Sequence, residues 1–384
     1  MSRIKFGDFA INLTEKKKPT PDEQLLYIGL EHLDSNCLHV TRWGSEVPIK
    51  GEKLVMHKGD ILLGKRNAYL RRAAIAPHDG VFSAHGMVLR PKEGIIDSNF
   101  FPIFIGSDYF FDAAIKISVG SLSPTINWKD LKELEFNIPD LPEQKKIATL
   151  FWALDRTKEG YKRLLTITDE LVKSRFIEMF GNPVQNYNHW KQYKLKDVTS
   201  KIGSGATPRG GKESYPDEGI SFIRSMNVHD GYFEFKDLAH LNDDQAMALN
   251  TVTIEKNDVL INITGASVAR TCVVPEQVLP ARVNQHVSII RCLHDVVNPV
   301  FINRQFLDSS FKRHLLNMGE SGGATRQAIT KQQLEEMLVI VPPIVLQNQF
   351  ADFVAQVDKS KLALQESLDK LEKLQKALIK KYLG

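Results

Sequence analysis

Cysteine is scarce in this chain: three in 384 residues, Cys37, Cys272 and Cys292, with no C-x-x-C pair among them. Scattered thiols exclude a disulfide framework and a cysteine-ligated structural zinc, and they suit a reducing compartment. The eleven histidines include no H-x-x-x-H or H-E-x-x-H spacing, so no metal site is expected. No apolar run approaches the length of a membrane span, and the opening MSRIKFGDFA lacks the apolar core of a signal peptide. The expectation is a cytoplasmic protein with no membrane association. Net charge is also small, 50 basic residues against 46 acidic ones. Whole-chain charge therefore does not name a partner, and any such argument rests on local clusters.

What the chain does contain is itself, twice. Residues 141–181 return as residues 344–384, so that Gln144 matches Gln347, Asp155 matches Asp358 and Gly181 matches Gly384, each pair 203 positions apart. Upstream the correspondence continues with a shrinking offset. It is 201 for His85 and His286 and for Arg90 and Arg291, 198 for Asp60 and Asp258, 195 for Tyr27 and Phe222, and 189 for Asp8 and Asp197. Insertions in the second copy, the first near the glycine-rich stretch 203–212, account for the drift. This is a domain duplication with a shared frame and divergent loops, and it implies pseudo-twofold symmetry.

Each copy closes with a long amphipathic stretch. From about Glu143 to Phe180 there is no proline, and Ile147, Phe151, Leu154, Tyr161, Leu165 and Val172 form a heptad-like stripe. The second stretch repeats Phe350, Val357, Leu364, Leu371 and Leu378 every seven residues, with Leu368 beside them. Roughly 38 helical residues make a rod of ~57 Å. Pro142 and Pro343 stand at helix entrances, where proline is tolerated, and Gly181-Asn182-Pro183 is a stop. An apolar stripe on such a rod needs a partner. Either each rod lies on its own globular half, or the two pair with each other; the second reading, an antiparallel pair acting as a spacer, is preferred.

The expected architecture is α+β: two duplicated globular domains, residues 1–141 and 182–343, separated by two long helices, 142–181 and 344–384, that form an antiparallel coiled coil. Within the halves, residues 60–63, 252–263 and 287–291 read as strands, and 100–117 and 299–318 as helices. Three loop regions carry the polar chemistry. GKRNAYLRR, residues 64–72, has four basic residues and a tyrosine directly after a strand, while its counterpart ITGASVAR, 263–270, is polar and barely charged. IGSGATPRGGK, 202–212, belongs to the second copy alone. The turns GSLSPTIN, 120–127, and GGATRQAIT, 322–330, precede the last apolar run of each half. Basic and small polar residues on flexible backbone suit contact with phosphates and base edges.

Motifs for catalysis fail one by one. A Walker-type loop is excluded by Ala206 and Glu213, and Gly203-Ser204-Gly205 lacks the third glycine of a dinucleotide fingerprint. Asp140, Glu143 and Lys145 evoke a nuclease, but the second copy has Pro343 and Gln347-Asn348 there. Asn182-Pro183 is followed by Val184, so the N-P-P-aromatic signature of amino-methyl transfer is missing. The chain reads as non-catalytic. A coiled-coil scaffold holding two protein-binding domains, or an enzyme fused to its specificity domain, are the competing readings.

Taken together, these features resemble the specificity subunit of type I restriction-modification systems over essentially the whole chain. The resemblance rests on I-P-D-L-P-E-Q-K-K-I-A at 138–148, F-G-N-P at 180–183 and W-x-x-x-K-L-x-D-V at 190–198. It also rests on G-S-G-A-T-P at 203–208 and F-I-R-S-x-N-V at 222–228. Two departures stand out: the first half lacks a G-x-T-P loop, and the second helix begins V-L-Q-N-Q instead of P-E-Q-K-K. The resemblance implies a DNA-reading scaffold in which each domain reads one half of a bipartite, asymmetric double-stranded target. It also implies two methylase subunits docked around it and restriction subunits with translocase and nuclease activity. No cofactor is expected on this chain; S-adenosylmethionine, ATP and magnesium are expected on those partners. By position, the favoured DNA contacts are Lys65, Arg66, Tyr69, Arg71, Arg72, Ser121 and Ser123 in the first half. In the second they are Arg209, Lys212, Arg224, Thr264, Ser267, Arg270, Arg326 and Gln327.

Overall fold

A computed structural model describes residues 2–208, 214–320 and 327–383. The chain divides into two compact units, residues 1–162 with 366–384, and residues 163–365. These do not stop at the helix boundaries, because each unit takes one end of each long helix.

In the first unit four short strands, β1 (Ala10–Leu13), β2 (Ile61–Gly64), β3 (Ala73–Ile75) and β4 (Gly86–Pro91), form an antiparallel sheet in the order β1-β4-β2-β3. The second unit repeats that order with β5 (Thr199–Ser204), β6 (Val259–Asn262), β7 (Thr271–Val273) and β8 (Val287–Cys292), as β5-β8-β6-β7. A second sheet in each unit also contains an equivalent parallel pair, Tyr27 beside Val81 and Phe222 beside Arg282. The expected strand over 252–263 is shorter, because Asn257 adopts φ 66° and the Asp258 carboxylate accepts from the Glu255 N–H at 2.8 Å. That turn leaves only β6 extended.

Phenylalanines fill the first core. Phe6, Phe104, Phe110 and Phe136 are fully buried, with Phe104 and Phe136 edge-to-face at 5.0 Å. Each such side chain contributes on the order of 1.5–3 kcal/mol by leaving water. The helical stretches read as single helices are each two. The first breaks between Phe101–Ile105 and Asp108–Lys116, where the buried Ser107 hydroxyl caps the Phe110 N–H at 3.2 Å. The second breaks between Pro299–Leu307 and Ser309–Glu320, where the Asp308 carboxylate accepts from Ser310 N–H at 2.9 Å and Phe311 N–H at 3.2 Å. A capping residue inside an apolar-periodic run starts a new helix.

The duplication extends to individual hydrogen bonds. Asp60, buried, receives Arg90 Nε at 2.8 Å and the His57 N–H at 2.8 Å; Asp258, buried, receives Arg291 Nε at 2.9 Å and the Glu255 N–H at 2.8 Å. In both copies the hydrogen bond to the carboxylate raises the pKa of the arginine. Gln144 is buried and donates to the Pro139 carbonyl at 2.8 Å while accepting from the Asp97 N–H at 2.7 Å. Gln347 does the same with the Pro342 carbonyl at 2.7 Å and the Asn298 N–H at 2.9 Å.

The long helices are α1 (Leu141–Phe180) and α2 (Ile344–Leu383). Within the first unit, Ile147, Ala148 and Phe151 from the start of α1 share a core with Leu383 at the end of α2. Lys158 Nζ donates to Gln375 Oε1 at 2.6 Å. Within the second, Phe176 and Phe180 near the end of α1 pack on Phe350 at 5.5 and 5.6 Å, and Lys361 Nζ meets Asp169 Oδ1 at 2.7 Å. The helices therefore run antiparallel as expected, and their ends also enter the globular cores. Of the pairing residues, Ile147, Phe151, Phe350, Val357 and Leu368 are buried, while Leu154, Tyr161, Leu165, Leu364, Leu371 and Leu378 are half-buried. An apolar stripe alone did not reveal that Asp155 and Gln375 are buried too, with Gln375 Nε2 3.4 Å from Asp155 Oδ1.

Asp155 also joins α1 to the first globular half, with His39 Nε2 at 2.6 Å from Oδ2. The hydrogen bond to Asp155 raises the His39 pKa above its ordinary 6.5. Burial pushes Asp155 up, but His39, Gln375 and Lys158 together hold it below its ordinary 3.8. A raised histidine contributes stability fully below its unfolded pKa and loses it as pH rises through the folded value. A depressed carboxylate contributes above its unfolded pKa and loses it as pH falls. The pair is thus most stabilising between the two, and His39→Ala should narrow the stability gap to the wild type as pH is raised from about 6 to about 9. Urea denaturation across that range measures it, and a pH-independent gap would refute the coupling. Gln144→Ala and Gln347→Ala should each cost about 1–3 kcal/mol, since each orphans buried backbone groups. Equal losses of denaturation midpoint in the two variants are the expected result; a neutral variant in either copy would show that its clamp does not hold the helix.

Candidate nucleic-acid interface

The loop after β2 and the turn before the last apolar run, distant in sequence, are brought together. The Ile126 N–H donates to the Lys65 carbonyl at 2.9 Å, Arg66 bridges Thr125, and the Ala68 N–H reaches the Pro124 carbonyl at 3.2 Å. Ser123 Oγ adds a hydrogen bond to Asn67 Oδ1 at 3.0 Å. The second unit builds the same junction. The Ile329 N–H donates to the Ile263 carbonyl at 2.8 Å, Thr264 bridges Ala328, and the Gly265 N–H reaches the Gln327 carbonyl at 3.0 Å. The backbone frame is common, whereas the side chains it presents are Lys65 and Arg66 in one copy and Ile263 and Thr264 in the other.

In the first unit the junction carries a cationic face. Lys65 lines a cleft of about 310 Å³ together with Lys16, Asn12, Asn127 and Trp128. Burial, then the charge of Lys16, lowers the Lys65 pKa. His85 stands on the turn that leads into β4, exposed, and its pKa is lowered by burial and then by Arg66, Lys65 and Lys53. Lys16 and Lys53 were not singled out from the sequence, and His85, whose place at the strand entry matching His286 suggested a hydrogen-bonded structural histidine, has no ring hydrogen bond among the described residues. The run Lys16-Lys17-Lys18 was the available signal, but only the strand pairing of Lys17 with Lys53 places the two segments together.

Other candidates divide. Arg66, Tyr69 and Ser121 are exposed and available. Arg71, by contrast, is held by Asp108 and, at 2.6 Å, by Asp112, so its guanidinium is committed to the fold. Arg72 is half-buried, its Nε without a hydrogen-bond partner, and its carbonyl accepts from the Gly64 N–H at 2.9 Å. In the second unit Arg224 is tied to the Asp237 carbonyl, Gln327 Nε2 donates to Glu320 Oε1 at 2.9 Å, and Thr264 Oγ1 lies 2.5 Å from His286 Nδ1. Ser267 and Arg270 are half-buried on the loop after β6, joined by Arg270 N–H to Ser267 O at 3.1 Å. Arg209, Lys212 and Arg326 lie outside the described residues. The described part of the glycine-rich loop does pack on the His286 turn, with the Gly205 N–H donating to the Asn284 carbonyl at 3.1 Å. A Cβ at Gly205 would come within 1.7 Å of the Val283 carbonyl oxygen, so only glycine passes there.

Among the described residues no cluster of three or more histidine, cysteine or carboxylate side chains could hold a metal. No helix among them is long and apolar enough to cross a membrane.

This duplicated frame with divergent loops coincides with a known class. The sequence pattern of the type I restriction modification DNA specificity domain matches residues 12–167 and 187–376. The chain belongs to that family. Two relatives come from Methanocaldococcus jannaschii. The putative type I restriction enzyme MjaX specificity subunit is 22% identical over 377 residues, 91% of this chain and 84% of the relative. The type I restriction enzyme MjaIX specificity subunit is 25% identical over 350 residues, 85% and 77% of the two chains. Among solved structures, the S subunit of a type I restriction-modification system from M. genitalium aligns with TM-score 0.60 and 15% identity, covering 100% of this chain and 96% of that one. A chain from a study of type I R-M complex assembly and conformational transition aligns with TM-score 0.58 and 19% identity, covering 100% and 97%. Membership carries a role in DNA target recognition, and the reading as a coiled-coil scaffold for protein-binding domains is not favoured.

Proposed function

We propose that the two globular halves each read one half of a bipartite, asymmetric DNA sequence. The observation that carries this is the shared junction of loop and turn in both units, built on the same backbone hydrogen bonds but bearing different side chains. A common frame presents two reading heads to one kind of ligand, and unlike side chains give them unlike preferences. In the first half Arg66 suits bidentate contact with a guanine edge or a phosphate, and Lys65 suits a phosphate. The chain contributes recognition and no chemistry of its own. Methyl transfer from S-adenosylmethionine belongs to two modification subunits, and ATP- and magnesium-dependent translocation and cleavage to restriction subunits, in the cytoplasm.

For the modification subunits, α1 offers a surface. Leu164, Ile167 and Leu171, spaced on one helical face, are 45%, 54% and 48% exposed. An exposed apolar stripe of this kind marks an interaction site.

Arg66→Ala should weaken binding of the full chain to duplex DNA and reduce the salt slope of log affinity by about one. Filter binding or fluorescence anisotropy over a salt series tests it, and unchanged affinity at every salt concentration would remove Arg66 from the interface. Replacing Leu164, Ile167 and Leu171 by serine should abolish co-purification of the modification subunit while leaving the thermal midpoint nearly unmoved. Full retention of the partner would move the docking surface elsewhere.

A further inference from the structure

His85 opens β4 on a tight turn, in which the Gly86 N–H donates to the Ser83 carbonyl at 3.0 Å and the His85 N–H approaches Ser83 Oγ at 3.3 Å. Pairing of β2 with β4 sets Gly64 against Gly86, so the residues just beyond, Lys65 and His85, stand together at that end of the sheet. Ala84 and Gly86, on either side of His85, line the same cleft as Lys16 and Lys65. The imidazole makes no hydrogen bond among the described residues. The charged groups acting on it are all cations: Lys65 and Arg66 from the loop after β2, and Lys53 from the neighbouring strand Lys53–Met56.

We infer that His85 is a further DNA contact of the first domain, and that it takes up a proton when duplex phosphate enters the cationic face. The inference rests on the DNA-reading function proposed above. In the free protein, burial and the three cations hold the ring below its ordinary pKa, so it is neutral near pH 7. A phosphate placed among these groups offsets part of their charge, offers the ring an acceptor and favours its charged form, which draws its proton from solvent. Binding to this face is then linked to pH: affinity rises as pH falls, by at most about tenfold per pH unit for one proton. The equivalent His286 is differently disposed. Its Nδ1 lies 2.5 Å from Thr264 Oγ1 and its Nε2 3.1 Å from Gln285 Nε2, so both ring nitrogens have protein neighbours.

The test uses the full-length chain and a short fluorescent duplex of random sequence at fixed, low ionic strength. Affinity is measured from about pH 6 to about pH 8, where an unperturbed imidazole titrates. Proton uptake is measured by calorimetry in two buffers of different ionisation enthalpy. The wild type should bind several-fold more tightly at the acidic end and take up protons on binding. His85→Gln should lose both the pH dependence and the uptake, and His286→Gln should keep both. A wild type that binds duplex with no uptake, or uptake undiminished in His85→Gln, overturns the inference and leaves the DNA reading intact. A wild type showing no salt-dependent duplex binding overturns the DNA reading and this inference with it.

Discussion

A buried amide at the entrance of each long helix is the constraint on which the arrangement of each half depends. Gln144 and Gln347 each hold a carbonyl five residues upstream and a backbone N–H at the edge of the globular domain. An unsatisfied buried amide is expensive, so the glutamine admits one angle of helix entry and one position of the loop carrying Asp97 or Asn298. Around that fixed entry the rest follows. The apolar face of the helix start enters the phenylalanine core, and the sheet holds its turns at constant positions against it. The loop after the second strand of each main sheet and the turn before the last apolar run can then vary in side chain, because neither the clamp nor the buried Asp–Arg pair draws on them.

Much of this was legible in the sequence. Two segments 203 residues apart announced the helices, and the matched pairs Asp60–Asp258 and Arg90–Arg291 announced the frame, since identical buried ion pairs need both partners retained. What was not legible depended on long-range placement or on local capping. Ser107 and Asp308 break helices that apolar periodicity joins. Arg71 looked like a free cation in a basic loop until Asp108 and Asp112, from a helix about forty residues away, were found beside it. The cationic neighbourhood of His85 draws on three segments that sequence proximity does not connect.

The two interfaces, equal in backbone, differ in electrostatics. The first half gathers Lys16, Lys53, Lys65 and Arg66 around one cleft and its rim, whereas among the described residues the matching junction in the second presents Ile263 and Thr264. A cationic face draws phosphate at long range and is weakened by salt, while hydroxyl groups act only on contact. Duplication thus supplied two copies of a scaffold whose described junctions present different side chains.

The polar contact inside the helix pair bears on which helix can take which partner. Val172 of α1 occupies the place that Gln375 holds in the duplicated copy. An antiparallel pair made of two α1 segments from different chains would therefore set Lys158 against valine, and would leave the Asp155 carboxylate without its amide neighbour. A half-buried ammonium facing valine loses a charge-assisted hydrogen bond and gains nothing in its place. Single polar residues in a helical seam are known to select register and partner at some expense of stability. One glutamine in place of one valine thereby makes the seam of an α1–α2 pair chemically unlike that of two α1 segments.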